Sequence, residues 1–264
     1  TYPRMLSKIL FKLEKYDEAL RFAKIADERS PGDRLVDALI QGSALVKLGR
    51  YASAVAVLQP YAGIIMEENR KLPAGSMYTP EFRNLLESLL RAGRVNEAAM
   101  VLDDSGSMPL QLNLWESIAR DLNFEDAEKA VQIFANYIDE DLAGDLRVVN
   151  VWTNVARRTR NPTALQNAHE GIEEIRAQLD PNAAGLAGSP LLAAHVEMTL
   201  ASIQEISSKT DARATYRSVI ELIPSAVRLR LLDGRALSQQ EMVEVRPWQE
   251  LLVLSLNNYA ANSA

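Results

Sequence analysis

Apolar residues recur along this chain in steps of three and four, and short polar or glycine- and proline-bearing breaks interrupt them. That period is the mark of helices with one buried side. The first segment covers residues 5–13, with Met5, Leu6, Ile9, Leu10 and Leu13 predicted on the buried side. Glu14 and Lys15 make a turn. A second helix follows over 16–27, with Leu20, Phe22, Ala23, Ile25 and Ala26 as apolar contacts. Ser30, Pro31 and Gly32 end it, because proline cannot continue a helix and glycine suits its cap region. Residues 34–48, a turn at Gly49 and a helix from Ala52 repeat the plan. That last helix is expected to run long, through Lys71, into a loop over 73–79. Further pairs are predicted at 80–92 and 95–102 around Gly93, at 110–122 and 126–138, and at 146–158 and 163–179 around Asn161-Pro162. One more is predicted at 191–207 and 212–222. Residues 182–196 read as a loop leading into a helix. Beyond Pro224 come a short apolar stretch over 226–233, a polar irregular stretch over 237–245, and an apolar helix from Pro247 through Leu256. Long apolar segments all carry the helical period, so the expected fold class is all-α.

Two stretches are near-copies. Residues 10–26 and 45–61 align so that Tyr16 recurs at Tyr51 and Ala19 at Ala54, each 35 residues on. A period near 34 with helix-pair patterning marks a stacked helical array. The turn glycine Gly49, the aromatics Tyr16 and Tyr51, the small residues Ala19, Ala54 and Ala26, and the closing Pro31 together resemble the tetratricopeptide repeat family. Ala98, Ala130, Phe134 and Tyr137 continue the resemblance, as do Ala212, Tyr216, Val219 and Pro224. The resemblance implies a right-handed α-α superhelix, a solenoid of six to seven antiparallel helix pairs. The repeats would span roughly 1–33, 34–72, 79–107, 109–142, 145–181 and 189–224, with a partial one at 247–264, in one array. The chain opens on Thr1 and ends inside what reads as the first helix of a further pair, so it is expected to be part of a longer protein.

Charge and composition narrow the function. The net charge is −6, which argues against a general nucleic-acid binder. Residues 101–150 hold 3 Lys/Arg against 11 Asp/Glu, whereas residues 1–50 hold 10 against 7. There is no cysteine, hence no disulfide, thiol nucleophile or Cys-ligated zinc. No apolar run reaches the ~18 residues needed to span a bilayer. His169 and His195 lack the paired spacing of a metal site, and none is expected. Asp139, Asp141 and Gly144 echo a calcium loop, but Ala143 and Asn150 stand where ligands are needed, so an acidic inter-helix turn is expected instead. Ser105 lacks the strand-turn-helix setting of a nucleophile. No cofactor or catalytic residue is assigned.

Binding residues are read from the first helix of each pair. Arg4, Lys8 and Lys12 share one face of the first such helix, Ser43 and Lys47 the matching face of the second, and Arg83, Glu87 and Arg91 that of the third. Asn150, Asn154 and Arg157 share a face in the fifth pair. The family resemblance implies that these faces line a concave groove that takes a protein or peptide. It also implies a lysine- and asparagine-built carboxylate clamp, into which Lys8 fits, while Ser43 stands where an asparagine is usual. The function expected is a non-catalytic interaction scaffold for a protein or peptide partner, acidic in character. The alternative is a structural or regulatory arm that positions a catalytic or membrane domain elsewhere in a larger assembly.

Overall fold

The structure, a computed structural model, describes residues 2–29, 31–72, 78–103, 108–138, 141–179, 188–232 and 238–262. Among these every regular element is a helix and there is no strand, in line with the helical period. The chain divides into two compact units, Thr1–Tyr137 and Ile138–Ala264.

The first unit begins with α1 (Tyr2–Lys12) and α2 (Tyr16–Arg29), followed by α3 (Arg34–Lys47) and α4 (Tyr51–Leu58). A short helix α5 (Ala62–Arg70) intervenes before α6 (Pro80–Arg91) and α7 (Val95–Asp103), and α8 (Met108–Ala119) with α9 (Phe124–Ala135) completes the unit. One turn device recurs in three pairs. The backbone N–H of Lys15, Arg50 and Arg94 donates to the carbonyl of Leu10, Leu45 and Leu89, at 3.0, 2.8 and 2.9 Å. The residue just before each donor is left-handed: Glu14 at φ 60°, Gly49 at 70° and Gly93 at 73°. This closes the orphan carbonyls of the first helix and reverses the chain at once. The second helix then lies against the first through Ala19, Ala54 and Ala98, none of which retains exposed surface. Successive pairs pack side by side, so that α1, α3, α6 and α8 form a row of first helices. Trp115 of α8 is buried and its Nε1 donates to the Ala130 carbonyl of α9 at 3.0 Å.

The second unit holds α10 (Leu142–Thr159), α11 (Pro162–Gln178), α12 (Pro190–Ser207), α13 (Lys209–Leu222), α14 (Ser225–Leu232) and α15 (Gln239–Ala261). Arg160, left-handed at φ 55°, ends α10, and the Asn161 side chain accepts from the N–H groups of Thr163 and Ala164 to cap α11. Ala164, Ala168 and Ala212 are fully buried where helices meet. Ala194, Ile223, Leu251 and Leu252 join α12 to α15 in one apolar core.

Four expectations change. Met5, Ile9 and Leu13 are exposed, and only Leu10 of the predicted face is buried, because α2 and α3 cover α1 from the side that also carries Ser7. The long helix expected through Lys71 is two helices, since Pro60 cannot supply an N–H and a 3-10 turn, Gln59–Tyr61, bends the chain there. Gly144 lies inside α10, whose cap is Asp141 accepting from the Gly144 N–H at 2.7 Å, so the acidic turn is shorter than expected. Residues 239–245 belong to α15, which starts at a capping box of Ser238 and Glu241 and carries Pro247 in its interior. The expected breaks over 104–107 and 180–187 and most of the 73–79 loop lie outside the described residues.

Two glycines should respond oppositely to alanine. A Cβ on Gly42 would stand 2.4 Å from Cδ2 of Leu58, a side chain that is 1% exposed, whereas one on Gly63 meets nothing within 4 Å. Alanine is worth up to about 1 kcal/mol over glycine inside a helix, and overpacking costs roughly 1–3 kcal/mol. Urea unfolding should therefore show Gly63→Ala stabilised and Gly42→Ala destabilised. A Gly42→Ala chain at least as stable as wild type would mean α3 and α4 are not this close.

Candidate functional site

The row α1, α3, α6 encloses a cleft of about 370 Å³ in the first unit. Lys8, Phe11 and Lys12 line it from α1, Val36, Leu39, Ile40 and Ser43 from α3, and Pro80 with Glu81 from α6. Its floor is apolar and half-buried, and its α1 wall carries two exposed ammonium groups. Among the described residues neither lysine has an ion-pair partner, nor does Lys47, exposed one turn below Ser43 on α3. The Ser43 hydroxyl donates to the Leu39 carbonyl at 2.8 Å and accepts from Nδ2 of Asn84 at 2.8 Å. Asn84 thus pins α6 to α3 at the edge of the cleft.

Of the cationic and polar residues predicted from sequence, Lys8, Lys12 and Ser43 come together here. Arg4 does not present a spare charge. Its guanidinium forks onto the fully buried Asp37 carboxylate at 2.7 and 2.6 Å and also pairs with Asp33, tying α1 to α3. The hydrogen bond to Asp37 is the main reason its pKa is held above the ordinary arginine value. Arg91 bonds Glu87 at 3.1 Å and Asp121 at 2.9 Å and lies over the Tyr51 ring, 5.4 Å from its centroid. It joins α6 to α4 and to the turn before α9. Arg83 is exposed, 3.8 Å from Glu87.

Asn150, Asn154 and Arg157 belong to the second unit, where they bond within α10 or to α12. The Asn154 amide donates to the Asn150 carbonyl at 2.7 Å, and Asn150 Oδ1 accepts from the Thr199 hydroxyl at 3.3 Å. Arg157 donates to the Ser202 carbonyl at 3.3 Å and lies 3.7 Å from Glu205.

The residues that sequence reading missed are Phe11, Val36, Leu39, Ile40, Glu81 and Asn84. Val36, Leu39 and Ile40 fall at helical spacing with Ser43, a signal present in the sequence. His169 and His195 lie apart on exposed sides of α11 and α12. Desolvation lowers the His195 pKa from its ordinary value, with Glu250 offsetting part of the shift. Among the described residues no three His, Cys, Asp or Glu side chains cluster as metal ligands, and no helix is long and apolar enough to cross a membrane. No protein-family model matches the chain, and no curated protein matches it.

The Arg4–Asp37 fork should matter to stability far more than an exposed pair of similar type. Removing one partner strands a buried charge, whereas exposed pairs contribute little. Arg4→Met should lower the urea midpoint several-fold more than Arg217→Met, whose bond to Glu221 is solvent-exposed. Adding Asp37→Leu to Arg4→Met should recover much of the loss. Equal effects of the two single substitutions would show that Arg4 is not holding α1 to α3.

Proposed function

We propose that the chain is a non-catalytic interaction module of the tetratricopeptide type, its helix pairs stacked as a superhelix, and that the α1–α3–α6 cleft receives a segment of a partner protein. The observation that carries this reading is the make-up of the cleft. Phe11, Val36, Leu39 and Ile40 offer an apolar seat, and Lys8 and Lys12 stand over it without ion-pair partners among the described residues. The volume suits a few side chains rather than a folded surface, so the ligand is a short peptide segment. Apolar contact supplies affinity, while the lysines select a carboxylate near the seated side chain and orient the segment. Glu81, at the α6 side, disfavours a second carboxylate there. A polyanion finds few unpaired cations and little use for the apolar floor, so nucleic acid is not the expected ligand.

Panning the chain against a random peptide display library tests the reading. Enriched peptides should combine Asp or Glu with a nearby aliphatic or aromatic residue. Lys8→Glu/Lys12→Glu/Lys47→Glu and, separately, Ile40→Asp should each weaken a selected peptide by about tenfold or more. Selection of no sequence class, or a selected peptide indifferent to both variants, would reject the cleft as the binding site.

A further inference from the structure

Exposed large apolar side chains gather along α1. Tyr2, Met5 and Ile9 are 74%, 62% and 48% exposed, with Leu13 just beyond at 62%. Steps of three and four residues put them in one stripe. α2 and α3 cover the side of α1 that carries Ser7 and Leu10, which leaves the stripe open. Contiguous apolar surface of this kind marks an interaction site more often than single exposed residues do.

Two observations tie the stripe to the cleft. The first is the internal repeat. Met5 and Lys8 align with Ile40 and Ser43, 35 residues on, and both of these line the cleft. The stripe thus continues on α1 the register that α3 presents as a cleft wall. Ala44, at the register of Ile9, is fully buried in α3, whereas Ile9 is open.

The second is the order of side chains around α1. At about 100° per residue, Lys8 and Lys12 fall between Phe11, in the cleft, and Met5 with Ile9, in the stripe. Two apolar surfaces therefore flank a ridge of two ammonium groups that lack ion-pair partners among the described residues. Arg4 shares that flank, but Asp33 and Asp37 take up its charge. Glu81, the carboxylate that lines the cleft, stands across from the ridge on α6.

This geometry sets a spacing. From Phe11 to Met5 and Ile9 is roughly 120–160° around a helix about 10–12 Å across, a path of ~12–15 Å. An extended chain rising about 3.3 Å per residue covers that path in about four residues. Its residues i, i+2 and i+4 face the same way, so all three can meet α1.

We infer that the partner segment received by the cleft is extended and acidic and crosses α1. One apolar residue sits in the cleft, Asp or Glu two places away lies on the lysine ridge, and a second apolar residue four places away rests on Met5 and Ile9. Unlike charges meet at the ridge, and apolar surface is covered on both sides of it. The inference rests on the cleft reading and adds to it the second contact and the spacing.

Panning a random peptide display library on the 264-residue chain reads the spacing directly. Enriched sequences should align as apolar, any, Asp or Glu, any, apolar. A helical ligand would instead space its apolar residues at i, i+3 or i+4 and i+7. Met5→Ser/Ile9→Ser removes apolar surface without adding charge, and should weaken the most enriched peptide by about tenfold. Serine at one of the peptide's two apolar positions should cost as much on the wild-type chain and little more on that variant. At the other position the two losses should add, because that residue sits in the cleft. Met100→Ser, on the exposed side of α7, should change nothing. Met5 and Ile9 are exposed, so the urea midpoint should match wild type; either single substitution replaces the pair where it does not. Enriched peptides with a single apolar residue, or with helical spacing, overturn the inference. So does a selected peptide that ignores Met5→Ser/Ile9→Ser yet is lost with Ile40→Asp, an outcome that leaves the cleft reading standing. Selection of no sequence class, or indifference to Ile40→Asp and the lysine variant as well, rejects the cleft and this inference together.

Discussion

Everything in this fold depends on how closely the second helix of a pair can lie against the first. At the crossing points the chain places alanine. Ala19, Ala54, Ala98, Ala130, Ala164 and Ala212 keep no exposed surface. A methyl group there lets the two helices approach closely. At two places even a methyl is excluded: a Cβ on Gly42 would meet Leu58 at 2.4 Å, and one on Gly171 would meet Val149 at 2.7 Å. Close pairing leaves each first helix with a side free for the next pair, which is how α1, α3 and α6 come to stand in a row. The cleft is a consequence of that row. Its lining comes from the first helices, and the alanines of the second helices are not part of it.

Polar residues on the first helices divide between two tasks. Arg4 with Asp37, Asn84 with Ser43 and Arg91 with Asp121 connect one pair to the next in the first unit. Asn150 with Thr199 and Arg157 with Ser202 do the same in the second. Apolar stacking alone tolerates small slips along a helix, whereas a forked guanidinium–carboxylate bond to a buried partner has one register. Cations spent in this way are lost to a ligand. Lys8, Lys12 and Lys47 keep their charge for solvent or partner, and lysine suits that role because its long stem covers apolar surface while its head stays wet.

The helices and their turns were legible in the sequence, because period and punctuation are local signals. Gly49 and Gly93 marked turns that need positive φ, and Glu14 with Lys15 marked the polar break between two helical segments. What lay beyond local reading was the choice of buried side. The apolar residues of α1 span more than half its circumference, so periodicity could not tell that Leu10 faces inward while Met5, Ile9 and Leu13 face out. Proline was misread in both directions. Pro60 breaks a helix expected to continue, and Pro247 sits inside one expected to begin there. Of the residues read from the sequence as binding, Lys8, Lys12 and Ser43 line one cleft. Arg4 and Arg91 looked identical to them in sequence, and only the positions of Asp37, Asp121 and Tyr51 on other helices reveal that their charges are engaged.

That division of cations bears on selectivity. Had all the first-helix cations of the first unit stayed unpaired, the cleft would attract any anion strongly over a Debye length of about 8 Å, in proportion to charge alone. With Arg4 held by two carboxylates and Arg91 by Glu87 and Asp121, the remaining field above the cleft rests on a few lysines in a chain of net charge −6. A few exposed ammonium groups contribute little on their own, so binding of useful strength has to draw on the apolar floor as well. On the proposed reading the fold's own ion pairs therefore do more than hold helix register. By removing excess positive charge, they make recognition depend on an acidic group and an apolar side chain presented together.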